Sequence, residues 1–115
     1  MNQDNLQQGL HLTFYCHVRA RHEGMLVSQW LLEQARRDGL GGGSVFRATA
    51  GFGRHGVLRE EQFFELADDL PVKVEFLLSE GQAGLLLKRV RAAGIETVYA
   101  RAPSSYGVLG EGKAA

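Results

Sequence analysis

Hydrophobic and polar residues alternate in the first patterned segment of the chain. Leu10, Leu12, Phe14, Cys16 and Val18 occupy every second position, with polar or aromatic residues between them. Because successive side chains of a strand point to opposite faces, this period predicts a half-buried β-strand. The same period predicts strands over residues 44–52 and 70–79 and a short last strand over residues 95–101.

Two other segments have the period of an amphipathic helix. Residues 25–38 place their apolar side chains along one stripe, and Gly39 is suited to the left-handed position that ends a helix. Ser79 and Gln82 have the spacing of a capping box, and an i, i+3, i+4, i+7 apolar pattern follows up to Gly94.

The order strand, helix, strand, strand, helix, strand predicts an α+β, ferredoxin-like βαββαβ sandwich, with an antiparallel sheet and both helices on one face. We expect a disordered segment at residues 1–8, the domain at 9–102 and a flexible tail at 103–115. The uncovered face suits self-association. It is predicted to carry His11, Thr13, Tyr15, His17, Arg47, Thr49, Lys73 and Glu75.

Length and composition limit the classes of function. The 115 residues suffice for one domain, and 13 basic residues balance 13 acidic ones, so we expect no attraction to nucleic acid. The single cysteine excludes an intrachain disulfide. With no signal-peptide pattern and no apolar run of about 18 residues, we expect a cytoplasmic protein that does not insert into a membrane.

The segment Gly51-Phe52-Gly53-Arg54 is the main candidate site. Two glycines allow the backbone to approach a ligand closely, and Arg54 could bind an anion. A glycine-bounded bulge at the end of an ordinary strand explains the same residues, and spacing alone favours that interpretation.

A family resemblance favours the site. Gly51-Phe52-Gly53-Arg54-His55, a long loop and then Leu70-Pro71-Val72-Lys73-Val74-Glu75 resemble the T-loop entry and following strand of PII signal-transduction proteins. Within that superfamily the chain most resembles the domain of unknown function 190 family. Further blocks carry this likeness, namely Arg21-His22-Glu23-Gly24, Gly39-Leu40 and Glu65-Leu66-Ala67-Asp68-Asp69-Leu70-Pro71-Val72.

The resemblance implies a homotrimer with small effectors, often adenine nucleotides, bound between subunits and no required cofactor. It implies a T-loop-like segment, residues 53–70, that signals to a protein partner such as a membrane transporter or an enzyme. Two departures favour a smaller or less phosphorylated ligand than ATP. In PII proteins a glutamine that helps organise the metal-nucleotide complex commonly occupies the position of His55. PII proteins also insert a phosphate-binding loop after the second helix, whereas here Ala92-Ala93-Gly94 leads almost directly into Ile95.

The predicted ligand-binding residues are Gly51, Phe52, Gly53, Arg54, His55, Arg47 and Arg101. Phe63 and Phe64, with Arg59, form the predicted partner-binding part of the loop, on a short amphipathic helix. Folding of these aromatic residues back onto their own subunit explains the pattern equally well. Between Arg54 and Asp69 no serine, threonine, tyrosine or lysine is present to be modified.

Other functions have weaker support. Cys16 alternates with core residues and is predicted to be a small buried hydrophobe, and no catalytic arrangement has a spacing signature, so we expect no enzyme. His11 and His17 share a strand face but lie roughly 20 Å apart, too far to bind one ion within a subunit, and no metal ligand is assigned. The alternatives are a trimeric metal-binding or metal-tolerance protein and an adaptor that binds no ligand.

Overall fold

The computed structural model describes residues 6–52, 58–60 and 71–110. In chain order the elements are β1 (Gln7–His17), β2 (Arg21–His22), β3 (Met25–Leu26), α1 (Val27–Arg37), β4 (Gly43–Arg47), β5 (Ala50–Phe52), β6 (Leu58–Glu60), β7 (Pro71–Leu78), α2 (Glu80–Ala93) and β8 (Val98–Tyr106). Neither helix of this described part is long and apolar enough to cross a membrane.

The main sheet has the strand order β4-β7-β1-β8, and each neighbouring pair is antiparallel. The alternating apolar residues of β1 and β7 form one buried cluster with those of α1 and α2. The predicted βαββαβ sandwich with both helices on one face is therefore confirmed. Two small ribbons, β2–β3 and β5–β6, lie outside this sheet.

The core consists of interlocked aromatic and branched side chains between the sheet and the helices. Leu12 and Phe14 of β1 and Leu31 of α1 are completely excluded from solvent. The rings of Phe14 and Phe76 meet edge to face, with centroids 6.2 Å apart. Burial of each such side chain stabilises the fold by about 1.5–3 kcal/mol.

The ends of α2 follow the predicted capping pattern. The backbone N–H of Gln82 donates to Ser79 Oγ at 3.1 Å, and that of Ser79 donates to Gln82 Oε1 at 3.0 Å. Gly94 has a φ of 72°, in the left-handed region. Arg89 donates two hydrogen bonds to the Asp38 carboxylate beyond α1, at 2.6 and 2.8 Å, and so joins the two helical segments. This guanidinium holds the pKa of Asp38 below its usual value.

The first helix begins later than the apolar stripe predicts. Met25 and Leu26 pair with His22 and Arg21 in the β2–β3 ribbon, and α1 starts at Val27. The two turn residues, Glu23 and Gly24, both have positive φ, 53° and 80°. Such two-residue turns favour Asn-Gly or Asp-Gly. Because a glutamate is in the first position here, the sequence does not show the usual hairpin motif.

The predicted strand over residues 44–52 is divided. Ala48 N–H still donates to Pro71 O at 3.0 Å, but Ala50–Phe52 then pair with Leu58–Glu60 instead of continuing along β7. The predicted orientation of Arg47 is also wrong. Arg47 lies opposite Val72 and hence on the side of the helices, whereas Phe46, opposite Lys73, is on the uncovered face.

The close packing around Gly43 explains this orientation. A Cβ at Gly43 would lie 2.5 Å from the Phe76 ring and 2.9 Å from the Leu32 side chain. Gly43 therefore lies beneath α1, in a space that admits no side chain. The alternation along β4 starts there, so Val45 and Arg47 share its face while Ser44 and Phe46 point away.

The domain is longer at both ends than predicted. Gln7 and Gln8, assigned to a disordered segment, pair with Tyr106 and Ser105, assigned to a flexible tail. Pro103 lies within β8, and it is tolerated there because β8 is an edge strand. Residues 1–5 and 111–115 lie outside the described residues.

Substitution of Gly43 by alanine should destabilise the fold. The added methyl group must displace the Phe76 ring or Leu32, and overpacking of this kind costs about 1–3 kcal/mol. Gly42→Ala is the matched control, because a Cβ there meets nothing within 4 Å. Urea unfolding of the two variants measures the difference, and equal stabilities would contradict the packing described here.

Candidate functional site

The glycine-containing segment predicted to bind a ligand lies where β4 ends and β7 begins. Gly51 in β5 lies opposite Arg59 in β6, and Phe52 lies opposite Leu58. A Cβ on Gly51 would stand 3.4 Å from Pro71 Cγ, so the β5–β6 ribbon starts against the first residue of β7. The predicted site residues Gly53, Arg54, His55, Phe63 and Phe64 lie outside the described residues.

Arg47 and Arg101 lie far apart within one subunit. Arg47 is the last residue of β4. It lies opposite Val72 of β7, which in turn lies opposite Cys16 of β1. Arg101 of β8 is opposite Leu12, and its Nη2 donates to Glu80 Oε1 at 2.9 Å. The two edge strands are separated by roughly 14 Å, and the register adds about 13 Å along the strands. A site that uses both arginines therefore needs a second subunit.

The uncovered face of the sheet contains an open cavity of about 610 Å³, which the sequence analysis did not predict. The backbone of Gly41–Gly43 forms one wall, and the Tyr106 ring packs against Gly9 on another side. The glycine run before β4 was the available signal, but it has the same pattern as a turn. The lining residues are His11, Gly41, Gly42, Gly43, Ser44, Glu75, Phe76, Leu77, Ser104 and Tyr106.

Glu75 is the charged group of this cavity. Lys73 Nζ lies 2.8 Å and His11 Nε2 3.6 Å from Glu75 Oε2. The Lys73 ammonium, and to a smaller extent His11, hold the pKa of Glu75 below its usual value, and the carboxylate raises the pKa of Lys73 in return. Among the described residues, no lysine or arginine lines the cavity, so the cavity suits the uncharged polar part of a ligand rather than a phosphate group.

A row of apolar and aromatic side chains crosses the same uncovered face beside the cavity. Phe46, Tyr15 and Val98 occupy equivalent positions on three strands, and each is more than 40% exposed. Lys73, on the fourth strand, lies 5.2 Å from the centroid of the Phe46 ring. Exposed apolar side chains clustered on one face in this way are typical of an interface with another protein chain.

Cys16 is on the opposite side of the sheet, in the core, which confirms the prediction of a small buried residue. Burial raises the pKa of its thiol to about 11. Only the thiolate is strongly nucleophilic, so this thiol is inert near neutral pH. Within the described ranges, no group of three or more histidine, cysteine, aspartate or glutamate residues is placed to hold a metal ion.

The fold defined by this sheet and its two helices is that of PII-like proteins. One solved structure with this fold is CPII, a nitrogen regulatory PII-like protein from Thiomonas intermedia K12 bound to ADP, AMP and bicarbonate. It matches with a TM-score of 0.65 at 17% sequence identity, and the match covers 90% of this chain and 92% of CPII. A protein of Thermus thermophilus that is described as PII-like matches with a TM-score of 0.58 at 17% identity, over 89% of this chain and 91% of that one.

The chain belongs to the domain of unknown function 190 family, whose model, described as "Uncharacterized ACR, COG1993", matches residues 9–100. A UPF0166 protein from Aquifex aeolicus (strain VF5) is 38% identical over 69 residues. That match covers 60% of this chain and 66% of the relative, so it spans slightly less than two thirds of the relative's length. The predicted family membership is confirmed.

We expect Cys16 to resist alkylation in the folded protein at pH 8 and to react rapidly in urea. The neutral thiol is favoured in the core, so its contribution to stability is present below the ordinary thiol pKa and is lost as the pH rises toward about 11. Mass spectrometry after a timed iodoacetamide pulse measures the reaction. Rapid labelling without denaturant would show that the thiol is accessible and ionised, contrary to its burial.

Proposed function

We propose that this chain is a PII-like regulatory protein, not an enzyme, that binds a small anionic effector between the subunits of a homotrimer. An adenine nucleotide is the effector class that we infer. The T-loop-like segment, residues 53–70, would transmit binding to a protein partner through Arg59, Phe63 and Phe64. We expect this signalling to take place in the cytoplasm.

The position of the cavity relative to the loop base carries this proposal. Glu75 lines the cavity, and Pro71, four residues earlier on β7, contacts Gly51. The two positions are therefore roughly 13 Å apart along one strand. Because β4 is an edge strand, an elongated ligand could place an uncharged polar part in the cavity on the uncovered face and reach around this edge with an anionic part toward Arg47 on the helix side. Gly53, Arg54 and His55 follow close by in the sequence. Occupation of such a site would act directly on the ribbon that begins the loop.

The arginine positions support a site between subunits. Arg101 lies at the far edge of the sheet from Arg47, so only the Arg101 of another copy could reach a ligand at the loop base. The exposed row of Phe46, Tyr15 and Val98 provides apolar surface for this association. CPII, which shares the fold, is described as bound to ADP, AMP and bicarbonate, and this supports nucleotides as the first ligands to test.

Calorimetric titration with ATP, ADP, AMP and cyclic AMP tests the proposal. We expect ADP or AMP to bind, and Arg47→Gln and Arg54→Gln each to weaken binding by about tenfold or more, because a charge-assisted hydrogen bond is lost. Arg37→Gln is the matched control. Its guanidinium is also exposed but pairs with Glu33 on the outer side of α1, 3.2 Å away, and binding should be unchanged.

Two results would contradict the proposal. If none of the nucleotides binds to a well-folded trimer, the nucleotide part is wrong. If light scattering shows a monomer at the concentration of the titration, a site between subunits is excluded whichever ligand is used. The loop has a separate test, since deletion of residues 61–68 should abolish partner binding while nucleotide affinity is retained.

A further inference from the structure

We propose that His11 and Glu75 form a binding site for a divalent transition-metal ion, with zinc as the representative ion, inside the open cavity. This inference goes beyond effector binding and does not depend on a nucleotide. Imidazole nitrogen and carboxylate oxygen are both ordinary zinc ligands. The two side chains come from neighbouring strands, β1 and β7, so their relative position is fixed by the central pairing of the sheet.

The distance between the two ligand atoms matches the requirements of an ion. His11 Nε2 and Glu75 Oε2 are 3.6 Å apart. Zinc lies about 2.0–2.1 Å from histidine nitrogen and about 2.0–2.2 Å from carboxylate oxygen. At these bond lengths, the observed separation corresponds to an angle of about 120° at the ion, close to the tetrahedral value. An ion could therefore bind without rearrangement of either strand.

The surroundings of the pair provide access from solvent. His11 is 42% exposed and Glu75 25% exposed, and both line the cavity of about 610 Å³. Since no third histidine, cysteine or acidic residue of the described chain joins this pair, water or an oxygen of a ligand in the cavity would complete the coordination.

Lys73 provides a distinctive property of this site. Its Nζ is 2.8 Å from the same carboxylate oxygen, so ammonium and metal ion compete for Glu75. The lysine is 40% exposed and also lies over the Phe46 ring, so it would keep the solvent and ring contacts when the metal ion takes the oxygen. Removal of the ammonium charge should therefore strengthen metal binding, an effect opposite in sign to removal of either ligand.

Titration of ZnCl₂ into the untagged, chelator-treated full chain tests this site. We expect one zinc per chain, a loss of affinity of at least about tenfold in His11→Ala and in Glu75→Gln, and tighter binding in Lys73→Gln. His17→Ala is the matched control, because His17 lies on the same strand face but roughly 20 Å from His11, and it should bind zinc like the wild type. Cobalt(II) absorption in the same variants reports directly on the ligand set.

Each outcome is decisive. The assignment is wrong if the wild-type chain binds no zinc, if binding survives both His11→Ala and Glu75→Gln, or if His17→Ala weakens it as much as they do. Weaker zinc binding in Lys73→Gln would also contradict it. Thermal melting identifies any variant that fails to fold. In that event Lys73→Gln, which leaves both ligands in place, and the milder His11→Gln keep the test intact.

Discussion

The antiparallel pairing of β1 with β7 at the centre of the sheet determines which side chains lie on each of its two faces. Its register places Leu12 opposite Phe76 and Phe14 opposite Val74 on the side of the helices. The alternate pairs of the same register place Thr13 opposite Glu75 and Tyr15 opposite Lys73 on the uncovered side. A slip of one residue would exchange the two faces, so the burial of the core determines which polar groups surround the cavity.

Two features of the molecule have different physical origins although they lie on the same strand. The helix-covered side of β7 is governed by close packing, which is why Gly43 must be without a side chain next to Phe76. The uncovered side is governed by charge, since Lys73 and His11 both approach Glu75. Because Phe46 and Tyr15 remain exposed beside these charges, this face combines apolar contact area with a polar cavity. That combination supports a site between subunits.

The proposed functions make different demands on the fold. Effector binding requires the loop base and the cavity at the two ends of β7, together with a second copy that brings its own Arg101 to the site. Metal binding requires only His11 and Glu75, whose positions are fixed within one subunit. The loop-based signal depends on residues 53–70, of which only 58–60 are among the described residues. Its support therefore comes from the sequence resemblance and from the position of the β5–β6 ribbon.

Local periodicity and contiguous motifs in the sequence are enough to predict the element order, the core-facing positions of β1 and β7, the capping of α2 and the family. The sequence-based prediction has clear limits elsewhere. It was wrong about the start of α1, the face of Arg47, the continuity of residues 44–52 and the length of β8. These depend on contacts between distant residues, such as Gly43 with Phe76 and Gln7 with Tyr106. Only the tertiary structure brought His11, Glu75 and the glycine run together around a cavity. Residues separated by tens of positions in the chain meet through strand pairing, and no local pattern records that pairing.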